Sequence, residues 1–467
     1  VEEVVPTRVK LSIAAVGLLS FISILVETSM NVTFPTLTKD LNVTLGTVQW
    51  LTTGYLLLTT IIMSTTAYIL KRFDPLKIFC VAISFCFVGS IVCMTAPSFP
   101  ILLTGRLLQA VSAGLSIPLM FSVIFDEVPS SKIGIYTGFA SIIVSLAPAL
   151  GPTYGGIVSG VWSWRAIFIG IAPLIILVAI LGVLTIRGTA KGVKGIAFDY
   201  LSVLGLSIIF SMILFTFDQA GSHGWISSQF GIWIVITLLI IIAFVIYNSH
   251  TNKQLIDFSI LKNEVLRFRL FGYFGLQFIN IGLSFLLPIF AQTVLNMDSS
   301  HAGIILLPGS LLGAVVGPIA GSIYDKKGPT IPMMISGVLV TLGSGLFFFL
   351  GNDLTFISII ILYSILRIGF NFGFGTSLSD GSMQVKGRKK SDQNSLFSMM
   401  QQYAGSLGTN ILSVVISAVA VTSKTTSTVI NTLSGAKIDF ALLTILSLCI
   451  LIISIIVAIK FPQKKEK

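Results

Sequence analysis

The chain has 467 residues, of which 54% are hydrophobic and only 10% charged, with a mean hydropathy of +0.97, whereas soluble domains carry roughly 25% charged residues. That composition excludes a water-soluble globule. A hydrocarbon core about 30 Å thick takes on the order of 20 apolar residues per helix, so the chain reads as an all-α integral membrane protein. The net charge of +11 does not mark a nucleic-acid partner, because such binding needs a basic patch on one folded face and here the basic residues lie between apolar runs.

Taken in order, the apolar runs predict helices over 11–34, 48–70, 76–96, 100–125, 133–160 and 164–186, then 201–218 and 227–247. Six more follow over 266–294, 302–324, 331–350, 355–378, 394–421 and 440–459, for about fourteen spans. The first run is as long as a full span and no small-residue cleavage site follows it, so it is expected to stay as the first helix. Basic residues test the count, because a missed span would invert every later loop. With both termini in the cytoplasm, 23 of the 29 Lys and Arg fall on that side, among them Lys71, Arg72, Arg267, Arg269, Arg388 and Lys389. Only Lys39, Arg165, Lys424 and Lys437 fall outside, and Arg106 and Arg367 lie within spans.

Overlaying the two ends of the chain exposes an internal repeat. The loop after the second span, from Ala67 to Arg72, is echoed from Gly321 to Gly328; Arg106 is echoed by Arg367; and the glycine-rich stretch at Gly151 by that at Gly408. The offsets of 254, 261 and 257 residues are similar. They imply a six-helix bundle over 1–190, two additional helices over 191–262 and a second six-helix bundle over 263–467.

Charges deep in hydrocarbon cost several kcal/mol on insertion scales and are presumed functional. Three are expected: Glu27, Arg106 and Arg367. Glu27 and Arg106 lie at similar depth, about 10 Å from the outer helix ends at 1.5 Å per residue. Glu27 therefore reads either as a carboxyl that loads and releases a proton or as half of a static ion pair with Arg106. Asp218 sits at a helix end within reach of water and is discounted. The cysteines Cys80, Cys86, Cys93 and Cys449 match no metal or redox spacing and read as packing residues.

The fifth span packs Gly151-Pro152-Thr153-Tyr154-Gly155-Gly156 into a helix, where glycine allows close helix approach and proline a kink. With this run, the sequence resembles the major facilitator superfamily, in particular its fourteen-helix drug:proton antiporter branch. Gly151, Pro152, Gly155 and Gly156 look like that branch's fifth-helix antiporter motif, and Arg106-x-x-Gln109 like its fourth-helix motif. Trp50-x-x-x-x-Tyr55, Trp164-Arg165-x-x-Phe168, Leu287-Pro288-x-x-x-Gln292 and Ala302-Gly303 through Pro308 follow in the family's order. The loop motif G-x-L-x-D-R-x-G-R departs in its first copy, with Ala67, Lys71 and Asp74 at its first glycine, aspartate and second glycine. The second copy keeps Gly321, Asp325 and Gly328, so the resemblance assigns a cytoplasmic gating loop to Asp325, Lys326 and Gly328. The first-helix motif D-x-T followed by N and P reads Val26-Glu27-Thr28, then Asn31 and Pro35, with the acid displaced by one position.

The resemblance implies proton-coupled efflux of hydrophobic or amphipathic compounds by alternating access, in a bacterial plasma membrane. Proton coupling would rest on Glu27 and Arg106. Polar residues within spans supply the candidates for a substrate cavity: Asn31, Gln109, Gln277, Asn280, Arg367 and Asn371. A lone deep acid favours neutral or weakly charged lipophiles over divalent cations. The same fold exporting a lipid, glycolipid or peptide is the alternative. An enzyme finds no support, because His223, His250 and His301 have no metal or triad spacing. No cofactor is expected: there is no Gly-Lys-Ser/Thr phosphate loop, which leaves the proton gradient to drive transport. Protons, small lipophilic substrates and membrane lipids are the expected partners, and a monomer the expected state. The basic loop Lys386-Gly387-Arg388-Lys389-Lys390 reads as a topology signal or a contact for anionic headgroups.

Overall fold

The structure, a computed structural model, describes residues 5–129, 133–187, 199–251, 256–386, 389–423 and 427–461. Among them there is no strand. Thirteen helical segments are long and apolar enough to cross a membrane, and the 29-residue helix Ile133–Val161 stands where the fifth span was expected. The chain is a multi-pass membrane protein.

The first compact unit comprises residues 1–208 and 247–255. Its helices are α1 (Thr7–Ser29), α2 (Phe34–Asp40), α3 (Leu45–Val48), α4 (Trp50–Arg72), α5 (Pro75–Thr95), α6 (Phe99–Glu127), α7 (Ile133–Val161) and α8 (Ala166–Thr185). Next come α9 (Tyr200–His223) and α10 (Ser228–His250), of which the stretch from residue 209 to residue 246 belongs to the second unit. That unit comprises 209–246 and 256–467. It holds α11 (Glu264–Thr293), α12 (Ser299–Ile304), α13 (Leu307–Lys327), α14 (Thr330–Phe349), α15 (Phe356–Met383), α16 (Lys389–Thr422) and α17 (Thr428–Lys460).

Local chemistry sets the helix ends. Asp74 caps α5, its side chain accepting from the Leu76 amide at 2.9 Å, so the residue standing at the family's second loop glycine does a cap's work instead. Asn263, Thr355 and Ser427 cap α11, α15 and α17. Gly328 ends α13 with φ of +74°, a conformation that favours glycine.

The expected repeat is present in the packing. In the first unit α1 packs against α6, α7 and α8, α5 against α6 and α8, and α4 against α6. The second unit has the same network element for element: α11 against α15, α16 and α17, α14 against α15 and α17, and α13 against α15. Each unit also ties its leading helix to its fourth long helix by an arginine. Arg8 reaches Glu127 at 2.6 Å, and Arg269, 261 positions later, reaches Asp380 at 2.6 Å.

Two expectations need correction. Arg269, grouped above with the charges outside the spans, is only 4% exposed, because α11 extends past it and Asp380 compensates its charge. The last helix begins at Thr428, not at residue 440, which draws Asp439 inside; the deep charges thus exceed the three expected. His223 and His250 lie in the last turns of α9 and α10, and His301 in α12.

Candidate functional site

In the first unit a polar cluster forms where α1 gives way to a 3-10 turn, Met30–Thr33. Arg106, on α6, is fully buried. Its Nη1 donates to the Gln109 side-chain oxygen at 2.9 Å and to the Val26 carbonyl of α1 at 3.4 Å, and its guanidinium lies 4.4 Å from the Tyr55 ring centre. Gln109 is held in turn, its amide donating to Ser90 Oγ at 3.0 Å. The Arg-x-x-Gln spacing therefore acts as an internal clamp: residues three apart on a helix share a face, and the glutamine fixes the cation. Among the described residues, Nε and Nη2 of Arg106 have no hydrogen-bond partner.

Glu27 lies one residue beyond the carbonyl that Arg106 holds. It is 5% exposed. It is coupled to Arg106 electrostatically, yet among the described residues it forms neither an ion pair nor a hydrogen bond. Asn31, also buried, accepts from Thr52 Oγ1 at 2.7 Å, and Tyr55 donates to the Ser23 carbonyl at 3.1 Å. These bonds pin the acid-bearing turn of α1 to α4.

The glycine motif of α7 seats against the same turn. A Cβ on Gly155 would overlap the Ser29 carbonyl oxygen, and one on Gly151 would overlap Thr28 Oγ1. Pro152 and Gly156 are buried beside them. Glycine is thus required at these positions because α7 meets the α1 backbone directly, one and two residues past Glu27.

The second unit assembles Gln277, Asn280 and Arg367. Arg367, 4% exposed, donates to the Asn280 side-chain oxygen; Asn280 donates to Gln277 at 3.4 Å; and the guanidinium lies 5.1 Å from the Phe370 ring centre. Asn371 joins by donating to the Arg367 carbonyl at 2.9 Å. Both repeats thus send an arginine from the fourth long helix to the first, one meeting a backbone carbonyl beside an acid, the other an amide. Lys326 is exposed in the last turn of α13. The side chains of Asp325, Ala67 and Lys71 lie outside the described residues, as does Arg388.

Sequence reasoning missed two features. The Arg269–Asp380 pair joins residues 111 positions apart, and Asp439 is fully buried with neither carboxylate oxygen hydrogen-bonded among the described residues. The signal for Asp439 was an acid adjoining an apolar run.

Two units with one packing network, each holding a buried arginine against its leading helix, define a repeat-built multi-pass membrane protein. Residues 16–409 match the family model of the Major Facilitator Superfamily, and the chain belongs to that family. Among its relatives, the uncharacterized MFS-type transporter YhcA of Bacillus subtilis is 32% identical over 401 residues, covering 85% of this chain and 74% of that one. The lincomycin resistance protein LmrB of the same organism is 30% identical over 411 residues, covering 88% and 85%. The multidrug export protein EmrB of Haemophilus influenzae is 25% identical, covering 85% and 78%. A solved bacterial homologue of the human lysosomal transporter Spinster, inward-facing and unoccupied, shares the fold at a TM-score of 0.72 with 14% identity over 98% of each chain.

Proposed function

We propose that this protein is a proton-coupled efflux transporter of the bacterial plasma membrane, with both termini cytoplasmic, working as a monomer without a cofactor. Its cargo is neutral or weakly charged hydrophobic or amphipathic small molecules, moved by alternating access. Glu27 is the coupling carboxyl. The observation that carries this reading is a buried acid with no fixed partner beside a buried guanidinium whose contacts go elsewhere. The nearby cation makes the ionised carboxylate tolerable, and the absence of a committed bond lets the acid take up a proton without losing one. A static ion pair would have spent both groups on each other. The names of the relatives, resistance to lincomycin among them, support a drug-like cargo.

The test is transport in proteoliposomes under an imposed pH gradient, across a compound panel that includes lincomycin, with wild type beside Glu27→Gln. Wild type should concentrate at least one compound, and Glu27→Gln should lose gradient-driven transport by at least about tenfold while retaining substrate exchange. Gradient-driven transport that survives in Glu27→Gln would remove Glu27 from the mechanism. A labelled glycolipid in the same vesicles tests the alternative cargo.

A further inference from the structure

Asp439 sits twelve residues into α17, about 17 Å from its first residue at 1.5 Å per residue, and its side chain is wholly buried. Neither carboxylate oxygen has a hydrogen-bond partner among the described residues. Helix α17 packs against α11, α14 and α16. Of these, α14 carries no charged residue, α16 none from Gln393 to Thr422, and α11 none beyond Arg269. The titratable groups on the facing helices in those stretches are Tyr273 and Tyr403, and neither they nor Lys437 on α17 interacts with Asp439 electrostatically. Asp439 therefore serves as neither cap, nor ion-pair partner, nor hydrogen-bond bracket.

Two polar residues of α16 are also unsatisfied. A Cβ on Gly435 would come 2.8 Å from the Ile416 Cα, which fixes the register of two successive helices running in opposite directions. One turn along each helix from that contact, Asp439 comes level with Ser413, and a further turn along α16 lies Asn410. The Ser413 hydroxyl and both polar atoms of the Asn410 amide are buried without partners among the described residues. An isolated carboxylate sealed from water is far too costly to persist as a bare charge, and buried polar groups left unpaired in a native structure call for an occupant or a function. Here the occupant needs no room and binds a carboxylate oxygen directly.

We propose that Asp439, flanked across the α16–α17 interface by Ser413 and Asn410, is a second proton-binding site of this protein, carried by the second unit. Each unit then holds one buried acid of this kind, Glu27 on its leading helix and Asp439 on its last. Proton binding at Asp439 stands independently of transport; its use in transport rests on the proton-coupled reading above.

Two measurements on the purified full chain decide it. Infrared spectra at neutral pH should show a protonated-carboxyl carbonyl band in wild type that is lost in Asp439→Asn and retained in Glu27→Gln; Asp439→Ser serves if the asparagine variant does not accumulate. Spectra of wild type and the Asp439 variant that coincide in this region would show Asp439 ionised and overturn the proposal. In weakly buffered detergent solution, a substrate identified by transport should then release about one proton fewer per chain from the Asp439 variant than from wild type. Equal release with the band present would confine Asp439 to a static neutral acid and overturn its coupling role. Absence of any release from wild type would count against the proton-coupled reading itself, while the infrared result still decides whether Asp439 binds a proton.

Discussion

Replacing Arg269 by Met should destabilise the second unit far more than its position near a helix end suggests. The Nε–Oδ2 distance to Asp380 is 2.6 Å, and the two residues are 4% and 6% exposed, so neither charge has water to fall back on. Removing one member of such a pair leaves an uncompensated buried charge and costs about 3–5 kcal/mol. Asp380→Leu should cost a similar amount for the same reason. The double variant, Arg269→Met with Asp380→Leu, removes both charges and should lie within about 1 kcal/mol of wild type or above it, since well-packed apolar replacements of a buried pair are often neutral or stabilising. The coupling energy read from this cycle is therefore about 5 kcal/mol or more, well beyond the roughly 0.5 kcal/mol scatter of independent sites. Unfolding equilibria in mixed micelles, or thermal midpoints in one detergent, measure all four proteins. If the double variant is as unstable as the two single losses added together, the charges do not compensate each other and the reasoning is wrong.

Gly155→Ala should separate α7 from α1, because its new Cβ would meet the Ser29 backbone, which cannot rotate away; a loss of about 1–3 kcal/mol is expected, with Gly321→Ala as the control, since a Cβ there meets nothing within 4 Å. Thermal midpoints of the two variants check this, and equal midpoints would refute it. Asp257 predicts a pH effect. Its hydrogen bond with Ser259, followed by its contact with Lys389, holds its carboxyl below the ordinary value of 3.8. A lowered carboxyl adds stability that is fully present above that value and is lost as pH falls through the folded-state value. Wild type should therefore lose stability on acidification below about pH 4 more steeply than Asp257→Asn, as measured by thermal midpoints along a pH series; parallel curves would exclude the contribution.

The spans and the repeat were legible because lipid enforces them: span length, basic-residue bias and recurrent offsets all act on long stretches of chain. Arg106 and Arg367 stood out because each interrupts an apolar run, and both proved to be buried clamps. Gln109 was legible as part of a motif, but whether it met cargo or the arginine three residues earlier depended on its rotamer, and it holds the arginine. The Arg269–Asp380 pair was illegible because its members lie at opposite ends of two runs and meet only through the α11–α15 packing. Asp439 escaped for a related reason. Hydropathy marks where a helix is greasy, whereas the helix itself begins at the Ser427 cap and is buried there by contacts such as Gly435 on Ile416.

The repeat duplicates the arginine clamp without duplicating the acid. Arg106 and Arg367 both reach back to their unit's leading helix, but the first finds the Val26 carbonyl next to Glu27 and the second finds the amide of Asn280. An amide offers a fixed donor and acceptor and has no proton to gain or lose near neutral pH, whereas a carboxyl without a committed partner can change charge. At the arginine clamp the leading helices of the two units therefore differ in chemistry: α1 presents a carboxyl next to the clamp, α11 an amide within it. Placing a carboxyl in the second unit at Asn280 by Asn280→Asp would therefore neutralise Arg367 in a fixed ion pair, not create a second Glu27, because the guanidinium already bonds that side chain directly. Glu27 makes no such bond: the hydrogen bonds of Arg106 both run from Nη1, to Gln109 and to the Val26 carbonyl.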